Sequence, residues 1–338
     1  MPTVAIDARD AVAPQLRGWG RYTQRLVAAL EQAHPEDLDV RVIRDGGSGP
    51  EALFEQVGLP RLLRRERSDA VHAPNCFLPL RRPCPGVVTV HDLAFEAYPR
   101  DFAPRTRLKY RRLGRAAVRS AERVIAPSAF TRDDLGRRWG IEPERVRVVP
   151  EAPALPEGHA EPPAGPYLLA VGDLRAKKNL LRLVRAFARL HREGLEHRLV
   201  LAGVDAGEGP RLREAAAGAP VELAGYVSDE RLDALLRGAD LLVHPSLYEG
   251  FGLVVLEAMA RDVPVALSHS TCLPETAGGA AEEFDPLDEQ AIATALARAT
   301  GNRDRHAELV RLGRDRAASF SWARAAEQTL DVYREVLR

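Results

Sequence analysis

A two-domain α/β protein, each domain a parallel sheet wrapped in helices, is predicted from three observations. Short apolar runs rich in Val, Ile and Leu alternate with helical patterns along the chain, which is how βαβ units and their parallel strands look in sequence. Residues 151–166 hold five prolines and cannot build a regular element, so they read as a linker. The 338 residues are too many for one small core and suit two domains of about 150 residues each. The expected domains are 1–150 and 167–320, with 321–338 as a closing helix.

In the first half the strand candidates are Val4–Asp7, Val40–Ile43, Ala70–His72, Val87–His91, Val124–Ala126 and Val146–Val149. Helical periodicity falls between them, at Arg21–Glu31, Arg105–Ala121 and Ala129–Trp139. The second half repeats the alternation with Tyr167–Val171, Arg198–Ala202, Val221–Leu223, Leu241–Val243, Val263–Ala266 and Ala281–Phe284. Ser321–Leu337 is apolar at helical spacing through Trp322, Ala325, Ala326, Leu330, Tyr333 and Leu337, a stripe that needs a partner surface. Two such domains leave a cleft, and open α/β sheets bind ligands beyond the carboxyl ends of their strands.

Composition narrows the class. With 45% hydrophobic and 28% charged residues the chain reads as soluble and globular, and no apolar run reaches the ~18 residues of a membrane span. Met1–Asp7 lacks the basic lead and long apolar core of a signal peptide. Cys76, Cys84 and Cys272 are odd in number and show no C-x-x-C spacing, so a reducing, cytoplasmic setting is expected and a cysteine zinc site is not. The zero net charge hides an asymmetry: residues 1–150 hold 26 Lys and Arg against 19 Asp and Glu. Much of that excess lies in Arg105–Arg123, which reads either as a solvated Arg-rich helix face or as an attractor for an anionic acceptor or lipid surface. Tyr110 alone is aromatic there, short of the interleaved aromatics that a nucleic-acid platform needs, so nucleic-acid binding is not expected.

The chemistry concentrates in Glu249-Gly250-Phe251-Gly252-Leu253-Val254-Val255-Leu256-Glu257, after the apolar run Asp240–Ser246. A strand, a glycine loop and a helix start can hold an anion on backbone N–H groups. Two carboxylates beside it can accept from sugar or ribose hydroxyls. The plainer alternative makes Glu249 a helix cap and Glu257 a solvated residue. Upstream, Gly172–Leu180 places Lys177 and Lys178 just before a helix, as a cationic point for a diphosphate or as solvated surface. Gly225-Tyr226-Val227-Ser228 follows another strand, with Ser228 as N-cap and the glycine open to a planar base. In the first half, Gly18-Trp19-Gly20-Arg21-Tyr22 opens the first helix, although the G-x-G-x-x-G dinucleotide spacing fails. His91 and Asp92 fall at a strand's carboxyl end, where a structural histidine is the competing reading.

Together these motifs resemble the retaining nucleotide-sugar transferases of the "glycosyl transferases group 1" family, which includes bacterial mannosyltransferases and glycogen synthase-like enzymes. Glu249 and Glu257 resemble its E-x7-E pair, Pro245–Gly252 its most recognisable run, Lys177-Lys178-Asn179 its R-K-N motif, Gly18–Tyr22 a G-x-G-R-Y loop, His91-Asp92 its acceptor-side pair, and Pro274-Glu275 its P-E. The chain departs from the family where Asp173 and Lys177 stand at positions often held by arginine.

The resemblance implies the GT-B fold, two Rossmann-like domains across a cleft with a C-terminal helix crossing back to the N-terminal domain. It also implies an N-terminal acceptor domain and a C-terminal donor domain. By carry-over, Lys178, Lys177 and the Gly250, Phe251, Gly252 and Leu253 amides hold the diphosphate. Glu249 takes donor-sugar hydroxyls, Glu257 the ribose, and Tyr226 and Val227 lie near the base. Gly18 and Gly20 approach the donor, and His91 and Asp92 sit near the reacting sugar. It further implies a retaining hexosyl transfer without metal or cofactor, GDP-mannose ahead of UDP-hexoses as donor, and a carbohydrate or lipid-linked acceptor. An epimerase or hydrolase, or a non-catalytic sugar-nucleotide binder, are the rival readings.

Overall fold

A computed structural model describes residues 1–12, 18–46 and 50–338. They divide into two compact units, Met1–Ala152 with Ser321–Arg338, and Pro153–Phe320. The first unit is built on β1 (Thr3–Asp7), β2 (Asp39–Ile43), β3 (Ala70–Ala73), β4 (Gly86–Thr89), β5 (Arg123–Ala126) and β6 (Val146–Val148). All pair in parallel, in the order β2-β1-β3-β4-β5-β6. Both faces of this sheet are covered, as a parallel sheet requires. Val4 and Ile6 of β1 pack with Tyr22, Leu26 and Leu30 of the Gly18–Ala33 helix, while Ala5 packs on the other face with Val71, Val88 and Val124.

The Trp322–Leu337 helix belongs to this first unit. Ser321 caps it, its Oγ accepting from the Arg324 amide at 3.2 Å. Ala325, Ala326, Leu330 and Tyr333 join the Tyr22 side of the core. Tyr333 also ends a buried polar chain: its hydroxyl is 2.7 Å from His72 Nδ1, and His72 Nε2 is 2.8 Å from Thr89 Oγ1. Burial holds His72 down at about 3, so the ring is neutral.

The second sheet comprises β7 (Tyr167–Val171), β8 (Arg198–Ala202), β9 (Val221–Gly225), β10 (Leu241–His244), β11 (Val265–Ser268) and β12 (Glu282–Phe284). Its order β12-β11-β10-β7-β8-β9 is the doubly wound Rossmann arrangement. Every pairing is parallel.

Three elements differ from the sequence expectation. The strand expected to reach His91 ends at Thr89, because the chain turns there and Asp92 Oδ1 accepts from the Ala94 amide at 2.9 Å to start the short Ala94–Ala97 helix. The helix expected over Arg105–Ala121 is broken by a wider π turn at Tyr110–Gly114, where Tyr110 packs on Phe77 and Phe95. The strand expected at Val263–Ala266 is shifted to Val265–Ser268. Pro264 has no N–H for the ladder and contributes only its carbonyl, 2.9 Å from the Leu242 amide.

Candidate functional site

The strand order of the second unit reverses between β7 and β10, the switch point at which an open α/β sheet forms a crevice. The loops leaving these two strands carry the Lys177-Lys178-Asn179 and Glu249–Leu253 motifs. Asn179 ties them together: its Nδ2 donates to the Pro245 carbonyl at 3.1 Å and the Pro286 carbonyl at 2.7 Å. Its φ of 55° is a left-handed conformation that asparagine tolerates better than most residues. The Leu247 amide closes the pairing on the Lys177 carbonyl at 2.8 Å.

These contacts converge on Glu249, which is 8% exposed. Lys178 Nζ lies 2.5 Å from Oε1, Lys177 Nζ 3.6 Å from Oε2, and His244 Nε2 3.3 Å from Oε1. Thr271 Oγ1 accepts from the Glu249 amide at 3.3 Å. Burial works against the carboxylate, but Lys177, Lys178 and His244 more than offset it and hold its pKa well below the ordinary value. His244 is pushed below its own ordinary value, chiefly by burial and further by the lysines, against the pull of Glu249. It is therefore a neutral donor to the carboxylate.

Two glycines make the crevice possible. Gly172 has φ 138°, and a Cβ there would sit 2.8 Å from Lys178 Cε, so the lysine stem crosses where any side chain would stand. Gly252 has φ 87° at the entry to the Leu253–Met259 helix, and a Cβ would meet Leu273 Cδ2 at 2.6 Å. Phe251 is buried, and its carbonyl accepts from Thr276 Oγ1, two residues after Pro274.

The plainer readings of both glutamates fail. Glu249 caps nothing, since Gly252 is the N-cap and the helix has no side-chain cap. Glu257 is 5% exposed, not solvated. Its carboxylate is engaged by the Ala154 and Leu155 amides and by Arg261, away from the Lys177, Lys178 and His244 contacts of Glu249. Tyr226 and Val227 follow β9, where Tyr226 is 58% exposed. Ser228 caps the Asp229–Arg237 helix as expected, accepting from the Arg231 amide at 3.2 Å.

In the first unit, His91 is pinned at both nitrogens. Nδ1 is 3.0 Å from Glu151 Oε1 and Nε2 is 3.0 Å from the Pro74 carbonyl. Burial would lower its pKa, but the Glu151 hydrogen bond and charge, with the Pro74 carbonyl, raise it above the ordinary value. Both neighbours accept, so the ring satisfies them as an imidazolium. Tyr22 packs edge-on against it with centroids 4.6 Å apart. Gly18 and Gly20 lie in the first turn of the Gly18–Ala33 helix, Gly18 exposed with open space around it and Gly20 buried.

Sequence reasoning passed over Glu151, which it gave to the linker, and His244 and Thr271, which have no motif of their own. A polar residue at a strand's carboxyl end was the available signal for His244. It also passed over an Asp-x-Asp triplet, Asp37-Leu38-Asp39. Those carboxylates face Arg334 at 2.8 Å and Arg41 at 2.9 Å, at the amino end of β2 and away from the crevice ends of the strands.

Residues 152–316 match the family described as "Glycosyl transferases group 1", and residues 17–152 match "Glycosyltransferase Family 4". The O-antigen chain mannosyltransferase B of Escherichia coli is 30% identical over 290 residues, covering 80% of this chain and 76% of that protein. The chain belongs to the glycosyl transferases group 1 family. Another member, the GDP-mannose-dependent alpha-(1-6)-phosphatidylinositol dimannoside mannosyltransferase of Mycobacterium tuberculosis, is 36% identical over 51% of this chain. That alignment spans 45% of the relative, under half its length. Among solved structures, a sucrose-phosphate synthase from Thermosynechococcus elongatus superposes with a TM-score of 0.76 at 23% identity, over 99% of both chains. WaaG, a glycosyltransferase involved in lipopolysaccharide biosynthesis, gives 0.69 at 17% identity over 97% of this chain and 99% of its own. These likenesses establish the GT-B fold for this group 1 glycosyltransferase.

Proposed function

We propose that this glycosyltransferase moves a hexose from a nucleoside-diphosphate sugar to a hydroxyl of a carbohydrate or glycolipid acceptor with retention of anomeric configuration. One observation carries the reading: two lysines and a neutral histidine surround one buried, ionised carboxylate where the β7 and β10 loops meet. Lys178 neutralises Glu249. An arriving diphosphate competes for that ammonium, joined by Lys177 and the Gly250, Phe251, Gly252 and Leu253 amides. Glu249 is then released to accept from donor-sugar hydroxyls, still held by His244. The acceptor hydroxyl attacks the anomeric carbon on the face from which the diphosphate departs. The bond from that carbon to the phosphate oxygen breaks, and the departing oxygen takes the acceptor's proton. Charge growing on the leaving group is met by Lys178, which lowers the barrier without a metal.

Glu257 serves the ribose, and exposed Tyr226 with Val227 offers a face to the base. Gly18 and Gly20 lie toward the donor in this reading, and Asp92 near the reacting sugar. His91 acts as a fixed positive group and not as a proton shuttle, since both nitrogens are already committed. GDP-mannose is the preferred donor, in keeping with the mannosyltransferase relatives, and UDP-hexoses come next. Exposed Arg105, Arg111 and Arg112, beside exposed Leu108, give the first unit a basic face that would approach an anionic membrane surface. The test is nucleoside diphosphate release from a donor panel, with and without sugar acceptors and with EDTA. Release that rises only with acceptor and survives EDTA supports transfer. Acceptor-independent turnover would favour a hydrolase or epimerase.

A further inference from the structure

The chain returns from the second unit to the first through Ser319, Phe320 and Ser321, the three residues between the Arg303–Ala318 and Trp322–Leu337 helices. The unit boundary falls between Phe320 and Ser321. The crossing has little slack: the Ser319 amide donates to the Arg316 carbonyl at 3.1 Å, the Phe320 amide to the Ala317 carbonyl at 3.1 Å, and the Ala325 amide to the Ser321 carbonyl at 3.0 Å. An aromatic side chain stands on each side of the boundary. Phe320 belongs to the Glu249–Leu253 loop. Its ring meets Phe251 edge-on with centroids 5.9 Å apart, and the Arg316 guanidinium carbon lies 4.5 Å from the Phe320 centroid. Arg316 Nε donates to the Thr276 carbonyl at 2.9 Å and Nη2 to the Glu275 carbonyl at 2.7 Å, while Thr276 Oγ1 donates to the Phe251 carbonyl. Phe251 is thus held at its ring and at its carbonyl by one cluster that ends at residue 320.

Trp322, two residues on, belongs to His91. Its ring meets Tyr22 edge-on with centroids 5.8 Å apart, and Tyr22 meets His91 at 4.6 Å with the planes 81° apart. Glu151 and the Pro74 carbonyl hold the two His91 nitrogens, but hydrogen bonds accept a range of tilts that close packing does not. The buried Tyr22 ring therefore sets the tilt of the imidazole. Tyr22 in turn rests on the Trp322–Leu337 helix twice. Trp322 packs on its ring, and its hydroxyl is 3.4 Å from Thr89 Oγ1, which continues through His72 to Tyr333.

We propose that Phe320 and Trp322 are positioning residues that couple the donor loop to His91. A diphosphate settling on the Gly250–Leu253 amides presses Phe251 on Phe320, and Trp322 passes the shift through Tyr22 to the imidazole. This rests on the donor-site and His91 readings above. Two residues apart, Phe320 and Trp322 have Cα atoms no more than about 7 Å from one another, so the backbone between them cannot absorb much of a displacement. Packed rings pass it on because no void takes it up. The coupling runs both ways, so a tightened His91 also tightens the loop.

His91 itself reports the coupling. In the full chain labelled at histidine, its ring resonance, assigned with His91→Gln, is followed by NMR as GDP or UDP is added, with calorimetry on the same samples. The nucleotide that binds should shift the resonance in the wild type. Trp322→Ala should bind that nucleotide about as tightly and lose the shift, and Trp322→Phe should restore it. No shift in the wild type, or the same shift in Trp322→Ala, would overturn the proposal. Calorimetry that shows neither nucleotide binding would instead refute the donor-site reading, and the coupling with it. Should Trp322→Ala fail to fold, Trp322→Leu keeps the bulk without the aromatic edge, and the shift must be lost there too. In turnover, Trp322→Ala should lower kcat about tenfold with donor KM little changed, whereas Phe320→Ala should lower kcat and raise donor KM. Both changes together should leave kcat within about threefold of the worse single variant, because they cut one connection. Losses that multiply would overturn the proposal.

Discussion

Replacing Lys178 with Ala strikes the site at its best-defined contact, and its two consequences can be separated. Lys178 Nζ is 2.5 Å from a carboxylate whose side chain is 11% exposed. Breaking one side of a buried ion pair costs about 3–5 kcal/mol when nothing replaces it. Here Lys177 at 3.6 Å and His244 at 3.3 Å remain. The stability loss should therefore fall to about 1–2 kcal/mol, as for a weakened charged hydrogen bond. The catalytic loss is larger, because the ammonium meets charge that grows only as the diphosphate leaves. Removing one such donor costs about 3–4 kcal/mol, or about 10²–10³ in kcat. Initial rates of nucleoside diphosphate release at saturating donor and acceptor measure the second effect, and urea midpoints on the same preparations measure the first. A folded variant within about threefold of wild-type kcat would refute the assignment of Lys178 to the leaving group.

The other predictions follow from the buried histidines and from Gly252. His72 is held near 3 in the folded protein against about 6.5 unfolded, so the unfolded chain binds its proton first as the pH falls through that window. Stability should drop by up to about 1.4 kcal/mol per pH unit below 6.5. His72→Gln should flatten that slope in urea midpoints measured from pH 4 to 7; an unchanged slope would clear His72. Glu249 is depressed, so its contribution is present above its unfolded value near 4.3 and is lost only as the pH falls through its lower folded value. Glu249→Gln should thus alter unfolding only at the acid end, while cutting transfer by about 10² or more. His91 is raised, so its stabilisation is full below about 6.5 and fades as the pH rises through the folded value. Glu151→Gln should move that alkaline loss, of stability and of activity alike, to lower pH in a pH–rate profile. Gly252→Ala imposes φ 87° on a residue with a Cβ and drives it against Leu273. It should cost about 1–3 kcal/mol and displace the loop amides, read as a raised donor KM.

The architecture was legible because strand periodicity and buried β-branched runs record which segments are covered on both faces. Tyr167–Val171, Arg198–Ala202 and the Ala129–Trp139 helix fall where their patterns end, the last at Gly140 with φ 68°. Boundaries slipped where a side chain overrode the pattern, as with Pro264 and with Asp92 starting a helix. At the site, Lys177, Lys178 and Glu249 are read as neighbours from sequence only through resemblance, since 71 positions separate Lys178 from Glu249. The doubly wound strand order is what closes that gap. The partners that tune the site residues, His244 and Thr271 at Glu249 and Glu151 at His91, stayed hidden because their roles depend on which loops meet at the ends of each sheet. Glu257 was hidden in the opposite sense. Its type and spacing announce a ligand contact, but no pattern records that most of its carboxylate is already spent on the Ala154 and Leu155 amides and Arg261.

A crystal soaked with nucleoside diphosphate puts the whole account at risk in one map. The diphosphate should lie within hydrogen-bonding distance of Lys178 Nζ and the amides of residues 250–253, with Lys178 drawn off Glu249 and His244 still on it. Density for the nucleotide elsewhere, with the Lys178–Glu249 pair intact, would contradict it.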